Sequence, residues 1–195
     1  MKAPYIKIHS VDEYGYDQAL RGLALSWHGN PLKMPRVSEK LAPKLYTGEA
    51  KFLEHIKLWI TLTAPRYWWQ EADTYRLTSK QSESTMHTLK RIIGQIAGFD
   101  DDKHETKDHI IQQNFEDFRG LNWCMINLLS LYKEKPPLYE LKAALPEAFL
   151  QMRLWCMSYK DLAHIITQRR GHKLPHWVMF IDEMKGRVVH PELLP

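Results

Sequence analysis

A run of polar side chains, Thr78 to Thr85, is the part of this sequence best equipped to bind a small polar ligand. It supplies hydroxyl, amide, ammonium and carboxylate groups at nearly every position. Apolar residues recur at helical spacing from Met86 onward, so the run ends at a helix start, with Ser82 or Ser84 as the N-cap. Backbone N–H groups at a helix start readily bind phosphate. The run therefore predicts a plain helix cap, a nucleotide cradle, or both together.

Two other groups could contact a ligand, although each has an ordinary structural explanation. Arg169 and Arg170 come at the C-terminal end of a predicted helix, where basic residues usually complement the helix dipole on a solvated face. The aromatic run Tyr67-Trp68-Trp69 could stack against a base or another flat ring. Aromatic residues at the end of a strand more often belong to a core or an oligomer interface, and the core interpretation is favoured.

The spacing of the histidines argues against a metal site. Pro175 begins a new helix between His172 and His176, and His104 and His109 fall on nearly opposite sides of a helix. The sequence also lacks the GxGxxG, GKS/T, GxSxG and CxxC motifs of common dinucleotide, triphosphate, hydrolase and redox sites. We therefore expect no metal and no side-chain nucleophile.

Composition narrows the class of protein. The 195 residues are 44% hydrophobic, which suits one compact domain over residues 1–195. The formal net charge of +4 suits anionic ligands such as nucleotides. The sequence lacks the concentrated basic block of duplex-DNA binders, so nucleic-acid binding is neither supported nor excluded. Cys124 and Cys156 lie in apolar stretches that are predicted to be helical. We therefore expect them to be buried free thiols, as in a protein of a reducing compartment. With no bilayer-spanning run and no signal peptide, we expect a soluble, cytoplasmic protein and no membrane partner.

A long strand and several helices must position these residues. Ile56, Leu58, Ile60 and Leu62 alternate with polar residues, the period of a half-buried strand. A shorter strand is predicted over residues 5–11. Residues 30–48 are predicted to form a proline-containing loop that can cover a site, and residues 100–105 are predicted to form a polar link. Six helical segments are predicted, at residues 17–27, 84–96, 111–132 with a break at Gly120, 138–144, 146–170 and 176–185. About three strands and six helices predict a helix-rich α/β or α+β domain.

Two blocks of residues carry a resemblance to a known family, the flavin-dependent thymidylate synthases. The first block matches the family spacing without a gap, at Leu53-Glu54-His55, Ala64-Pro65, Arg76, Ser79, Gln81, Ser84, Met86 and His87. The second matches at Lys142, Leu145-Pro146, Trp155, Ser158, Lys160, Leu162 and Arg169. A tail of the form RxxHxLPxW, from Arg169 to Trp177, resembles a divergent branch found in phages and prophages.

The resemblance implies a fold and an activity. The fold would be α+β, a helix-rich single domain with a small antiparallel sheet. The activity would be that of a methyltransferase, the reductive methylation of dUMP or a related pyrimidine nucleotide. Methylene-folate would supply the methylene and reduced FAD the hydride, with NADPH as a further co-substrate. The family also implies a homotetramer whose sites form between subunits.

The resemblance also assigns roles to individual residues. Arg169 would lie against the pyrimidine oxygen and Ser84 would hold the nucleotide at the helix start, both in catalytic positions. Glu71 and Lys142 would join them in binding the substrate. The residues implied to contact FAD are His55, Arg76, Ser79, Gln81, Ser158 and His164.

Several positions depart from the family pattern: Gln81 stands where the family has Asn, His87 stands where it has Tyr, and four further positions bear on the flavin and the nucleotide. Thr74 and Tyr75 replace the first Arg and the His of a flavin-binding triplet, Glu71 replaces a nucleotide-binding Gln, and Met86 replaces an Arg that grips the nucleotide phosphate. Methionine cannot form the bidentate charge-assisted contact of arginine, which is worth about 1.5–3 kcal/mol. These departures motivate an alternative, a non-catalytic descendant of the fold that binds a nucleotide, a nucleic acid or a partner protein.

Overall fold

The computed structural model of the chain describes residues 4–98 and 106–195, which form two compact units. Unit 1 consists of Thr63–Thr74 and Ser82–Met152 together with the N-terminal residues up to Tyr5. Unit 2 consists of Ile6–Leu62, Tyr75–Gln81 and Arg153–Pro195. The polar link predicted over residues 100–105 lies outside the described residues.

Four strands form one antiparallel sheet in the order β1-β2-β4-β3. Their bounds are Lys7–Tyr14 for β1, Lys57–Pro65 for β2, Ser79–Ser82 for β3 and Leu150–Ser158 for β4. The alternation predicted along β2 is confirmed, because Leu58, Ile60 and Leu62 are all fully buried. The opposite face is partly covered as well, since Trp59 and Thr61 are half-buried.

Helices make up most of the remaining described residues, so the predicted helix-rich α+β fold is confirmed. The nine α-helices in this part of the chain are α1 Tyr16–Leu25, α2 Met34–Leu41, α3 Arg66–Ala72, α4 Thr85–Ala97, α5 Lys107–Asn114, α6 Leu121–Lys133, α7 Leu138–Ala144, α8 Tyr159–Arg169 and α9 Pro175–Arg187. Short 3₁₀ helices occur at Pro31–Lys33, Gly48–Glu54 and Pro191–Leu193. Among the described residues, no helix combines the length and apolarity that crossing a bilayer requires.

The prediction of one helix from residue 146 to residue 170 was wrong in its first half, which is the strand β4. β4 lies between β2 and β3 and pairs with both. Apolar residues occur on both faces of β4, with Leu150, Met152 and Leu154 on one and Trp155 and Met157 on the other, so its sequence shows no clean period of two. Cys156 is consequently a half-buried strand residue, and only the part from Tyr159 onward is helical. Cys124, which lies on α6 as predicted, is also half-buried, and both thiols are free.

The prediction of a loop over residues 30–48 was also wrong, because this segment contains a 3₁₀ helix and α2. Pro35 lies in the first turn of α2, where its missing N–H has no intrahelical acceptor to lose. Met34 and Leu41 bury the apolar side of this helix. Proline therefore began a helix here instead of interrupting one.

Two other helices are shorter than the sequence predicts. α1 ends at Leu25, which leaves Trp27 61% exposed instead of in the core. α5 ends at Asn114, because Phe115 is extended and forms an isolated bridge with Phe149. Phe118, expected on the same helical face, lies beyond the helix.

The aromatic run after β2 belongs to the core of unit 1, as predicted, but lies on the helix α3. Trp68 and Trp69 are fully buried, and Nε1 of Trp69 donates to the carbonyl oxygen of Gln151 at 3.0 Å. The rest of this core forms where α4 packs against α5, α6 and α7. Leu89 and Ile93 of α4 are fully buried there.

The turn between β1 and α1 requires glycine. Gly15 has φ of 97°, in the left-handed region, and a Cβ at this position would lie 2.3 Å from the carbonyl oxygen of His55. A larger residue would therefore push against the segment that carries His55.

Replacing Gly15 with alanine should destabilise the protein. The left-handed backbone alone costs a non-glycine residue about 1–2 kcal/mol, and the contact with His55 adds to it, so we expect the melting temperature to fall by about 4 °C or more. Gly22→Ala is the matched control, because Gly22 lies within α1 and its Cβ would meet nothing within 4 Å. Better helix propensity should raise the melting temperature of that variant by about 2–4 °C. Equal shifts in the two variants would contradict this explanation.

Candidate functional site

Unit 2 contains a cavity of about 430 Å³ beside the first turns of α8, here called the α8 cavity. Its lining residues combine basic, acidic and apolar side chains, namely Leu45, Tyr46, Glu54, Lys57, Leu77, Ser158, Lys160, Asp161 and His164. Lys160 and His164 are four residues apart, so both lie on the same face of α8. The cavity therefore offers ammonium and imidazole groups next to an apolar wall.

The start of α8 is fixed by a capping box. Oγ of Ser158 accepts from the backbone N–H of Asp161 at 3.2 Å, and the Asp161 carboxylate accepts from the backbone N–H of Ser158 at 2.8 Å. The Ser158 hydroxyl also donates to that carboxylate at 2.6 Å. Ser158 is buried, so its contribution to the cavity is to hold the helix that presents Lys160 and His164.

Two contacts orient these basic groups. Nζ of Lys160 lies 2.7 Å from Oε1 of Glu54, and this hydrogen bond is the main reason that the pKa of Glu54 is lowered. The His164 ring lies between Tyr46 and Tyr75, with ring centroids 6.1 and 6.5 Å away in edge-to-face arrangements. The imidazole is thus positioned by aromatic edges.

The other end of α8 holds a second group, the Arg169 cluster of Tyr75, Arg169, His172 and Trp177. Nε of Arg169 donates to the Tyr75 hydroxyl at 2.8 Å, and Nη1 lies 2.8 Å from Nε2 of His172. The guanidinium carbon is 4.8 Å from the ring centroid of Trp177 and 5.6 Å from that of Tyr75. Arg169 is therefore half-buried and held over aromatic faces, unlike the solvated helix end that its position in the sequence predicts.

The predicted nucleotide residues of unit 1 surround the start of α4. Ser84 occupies the N-cap position, as predicted, but its side chain makes no capping hydrogen bond. Nζ of Lys142 lies 3.7 Å from Sδ of Met86, in the first turn of the helix. The three side chains are exposed, and the first amides of a helix have no intrahelical acceptor. Glu71 lies on α3 in the same unit and is half-buried.

The remaining predicted flavin residues are spread over unit 2. His55 lines a separate cavity of about 530 Å³, together with Trp27 and Phe52. Arg76 is exposed and precedes Leu77 of the α8 cavity, and Ser79 and Gln81 are exposed on β3. Of the six predicted flavin contacts, the α8 cavity brings only Ser158 and His164 together. In the described part of the chain, no group of three or more His, Cys, Asp or Glu side chains could hold a metal ion.

Sequence reasoning missed the structural partners of Arg169. Tyr75 was identified only as a departure from the family pattern, and Trp177 only as part of the tail motif. Their positions relative to Arg169 depend on the path of the chain and on no local spacing. The pairing of Lys160 with Glu54 was missed for the same reason, although both residues lie within the two matched blocks.

Two solved structures share this fold over nearly the whole chain, and both are of flavin-dependent thymidylate synthase (ThyX) from Helicobacter pylori with FAD and dUMP. One has a TM-score of 0.78 and 14% sequence identity, covering 97% of this chain and 96% of that chain. The other has a TM-score of 0.75 and 15% identity, covering 95% of this chain and 98% of that chain. No family model and no curated protein sequence matches the chain. The fold is therefore that of flavin-dependent thymidylate synthases.

The contacts of Arg169 predict that it contributes to stability. Arg169→Ala removes the hydrogen bond to Tyr75 and the contact with Trp177, together worth about 2 kcal/mol. The melting temperature should fall by about 4–8 °C. Arg170→Ala is the matched control, because Arg170 is exposed at the next position and should change stability by less than about 0.5 kcal/mol. Similar melting temperatures for the two variants would contradict the role of the cluster.

Proposed function

We propose that this protein is a flavin-dependent thymidylate synthase, which methylates dUMP or a related pyrimidine nucleotide. The observation that supports this most strongly is the likeness of fold over 97% of the chain to a structure that contains FAD and dUMP. The matched blocks of sequence add residues of suitable chemistry at the corresponding positions. We also propose that the chain acts as one domain and assembles into a homotetramer, as the resemblance implies.

The chemistry of the α8 cavity suits a flavin dinucleotide. Lys57 provides positive charge for a diphosphate, and Lys160 and His164 provide hydrogen-bond donors. Tyr46 and Leu77 provide apolar surface for a flat ring. We propose that the FAD-binding residues are His55, Arg76, Ser79, Gln81, Ser158 and His164, with Ser158 acting through the cap of α8.

When bound, reduced FAD supplies the hydride that, with the methylene of methylene-folate, converts dUMP into dTMP, releasing tetrahydrofolate and oxidised FAD, which NADPH reduces again. The protein's contribution is to orient the reactants and to stabilise charge. Arg169 is suited to the pyrimidine oxygen, because Tyr75 and Trp177 already fix its guanidinium before a ligand arrives. A preorganised cation of this kind favours negative charge that develops on the ring.

Ser84, Lys142 and Glu71 are the proposed nucleotide-binding residues of unit 1. The Ser84 hydroxyl makes no capping hydrogen bond, so this hydroxyl and the first backbone amides of α4 can donate to a phosphate. Met86 cannot, but the ammonium group of Lys142 lies against its sulfur and supplies a positive charge beside that position. Lysine offers a point charge instead of a bidentate fork, so we expect phosphate binding to be weaker than an arginine would give.

A non-catalytic binding protein is the second candidate, and the use of Tyr75 favours it. The Tyr75 hydroxyl donates to Oε1 of Gln168 at 3.1 Å and accepts from Arg169, so it has a structural use at a position where the family has a flavin-binding His. Such a protein would retain a nucleotide site without binding flavin.

Flavin binding separates the two candidates. We expect the purified protein to be yellow, with the absorbance of about one oxidised FAD per chain, and to form dTMP from dUMP, methylene-folate and NADPH, as measured by mass spectrometry. Arg76→Ala and His164→Ala should each lower FAD affinity by about tenfold. Arg21→Ala removes an exposed charge from α1 and serves as the control. A colourless protein that fails to bind added FAD would favour the second candidate, the non-catalytic binding protein.

The role of Lys142 is testable without flavin. Lys142→Met should weaken dUMP binding by about tenfold, because it removes the cation beside Met86. Binding of deoxyuridine, which has no phosphate, should not change. Lys40→Met removes one exposed positive charge from α2 and controls for the general electrostatic attraction. Equal losses for dUMP and deoxyuridine, measured by calorimetry, would show that Lys142 does not act on the phosphate.

A further inference from the structure

We propose that unit 1 has an additional anion site, whose ligand is a small phosphate ester that carries a flat apolar group. The site is a cavity of about 400 Å³, here called the α6 pocket, lined by Lys90, Tyr132, Lys133, Lys135, Pro136 and Leu141. None of these residues belongs to the flavin or nucleotide sites proposed above. The inference therefore stands or fails independently of the proposed function.

Three lysine side chains line this pocket, and none of them is paired with a carboxylate among the described residues. Lys90 comes from α4, Lys133 from the last turn of α6 and Lys135 from the turn that follows. Among the described residues, none of the three ammonium groups forms an ion pair or a side-chain hydrogen bond, and the pocket lining contains no Asp or Glu. Like charges around one cavity repel each other, and a bound anion would relieve that repulsion.

Lys135 stands where the backbone disfavours a lysine. Its φ is 52°, and its N–H donates to the carbonyl oxygen of Tyr132 at 3.0 Å, just past the end of α6. Helices usually place glycine or asparagine at this left-handed position. His28 is the one other non-glycine residue in the described chain with positive φ. A strained residue at the rim of a pocket is typical of a functional position, and here it adds an ammonium group to the lining.

The floor of the pocket is apolar and suits a flat ring. Leu141 is fully buried, and Pro136 is buried beside it. Gly94 of α4 makes room for Tyr132, because a Cβ on Gly94 would lie 2.9 Å from the Tyr132 hydroxyl. The volume falls in the range of small-molecule sites. An aromatic group against this floor would leave its phosphate facing the three lysines, as in a nucleoside monophosphate.

Titration calorimetry with AMP as the probe tests this proposal. Lys90→Ala, Lys133→Ala and Lys135→Gly should each weaken AMP binding by about tenfold, and added salt should weaken it further. Lys135→Gly removes the strain of the left-handed lysine, so its melting temperature should not fall, which separates lost binding from lost folding. Lys40→Ala is the charge-matched control and should retain the affinity within about twofold.

Four outcomes would overturn the proposal. Two of them are a wild-type protein that does not bind AMP at all and pocket variants that all bind AMP as tightly as the wild type. Equal losses in the pocket variants and in Lys40→Ala would show a general effect of net charge. Adenosine that binds as tightly as AMP would show that the lysines do not hold a phosphate.

Discussion

The capping box of Ser158 and Asp161 is the constraint on which the candidate site of unit 2 depends. It begins α8 at a fixed residue, and a cap of this kind contributes about 1 kcal/mol. The backbone N–H of Tyr159 donates to the carbonyl oxygen of Ile56 at 3.0 Å, and the Tyr159 hydroxyl donates to Oε2 of Glu13 at 2.6 Å. The start of α8 is thereby tied to two other segments of the unit. If α8 began one residue earlier or later, Lys160 and His164 would rotate out of the α8 cavity, because successive helical residues differ in direction by about 100°.

Much of the fold could be predicted from the sequence, and the failures share a cause. The alternation along β2 and the apolar spacing of α4, α6 and α7 are local signals, and the structure confirms them. β4 has apolar residues on both faces, so no period of two marks it as a strand, and its pairing with β2 and β3 is set by the rest of the chain. α2 was missed because Pro35 was interpreted as a loop residue, although proline is well tolerated in the first turn of a helix.

The candidate site was predictable in its residue types but not in its contacts. The family resemblance implies roles for Ser158, His164 and Arg169, which the structure places along α8 or at its cap. The sequence gives no sign that Tyr75 accepts a hydrogen bond from Arg169, since 94 residues separate them. Tyr75, at a position where the family has histidine, thus forms hydrogen bonds within the protein. Its hydroxyl fixes the arginine that the proposed reaction needs, so one departure from the family pattern has gained a structural role.

Which positive charges are paired with carboxylates matters more for anion binding than the total charge of the chain. Within unit 2, Lys160 pairs with Glu54, Lys44 with Glu49 and Arg187 with Glu183. Within unit 1, Arg66 pairs with Glu147, whereas the lysines of the α6 pocket have no carboxylate partner among the described residues. Paired surface charges contribute little to either stability or attraction. The net charge of +4 therefore does not describe the potential at the α6 pocket, because an anion responds to the cations that nearby carboxylates leave unneutralised.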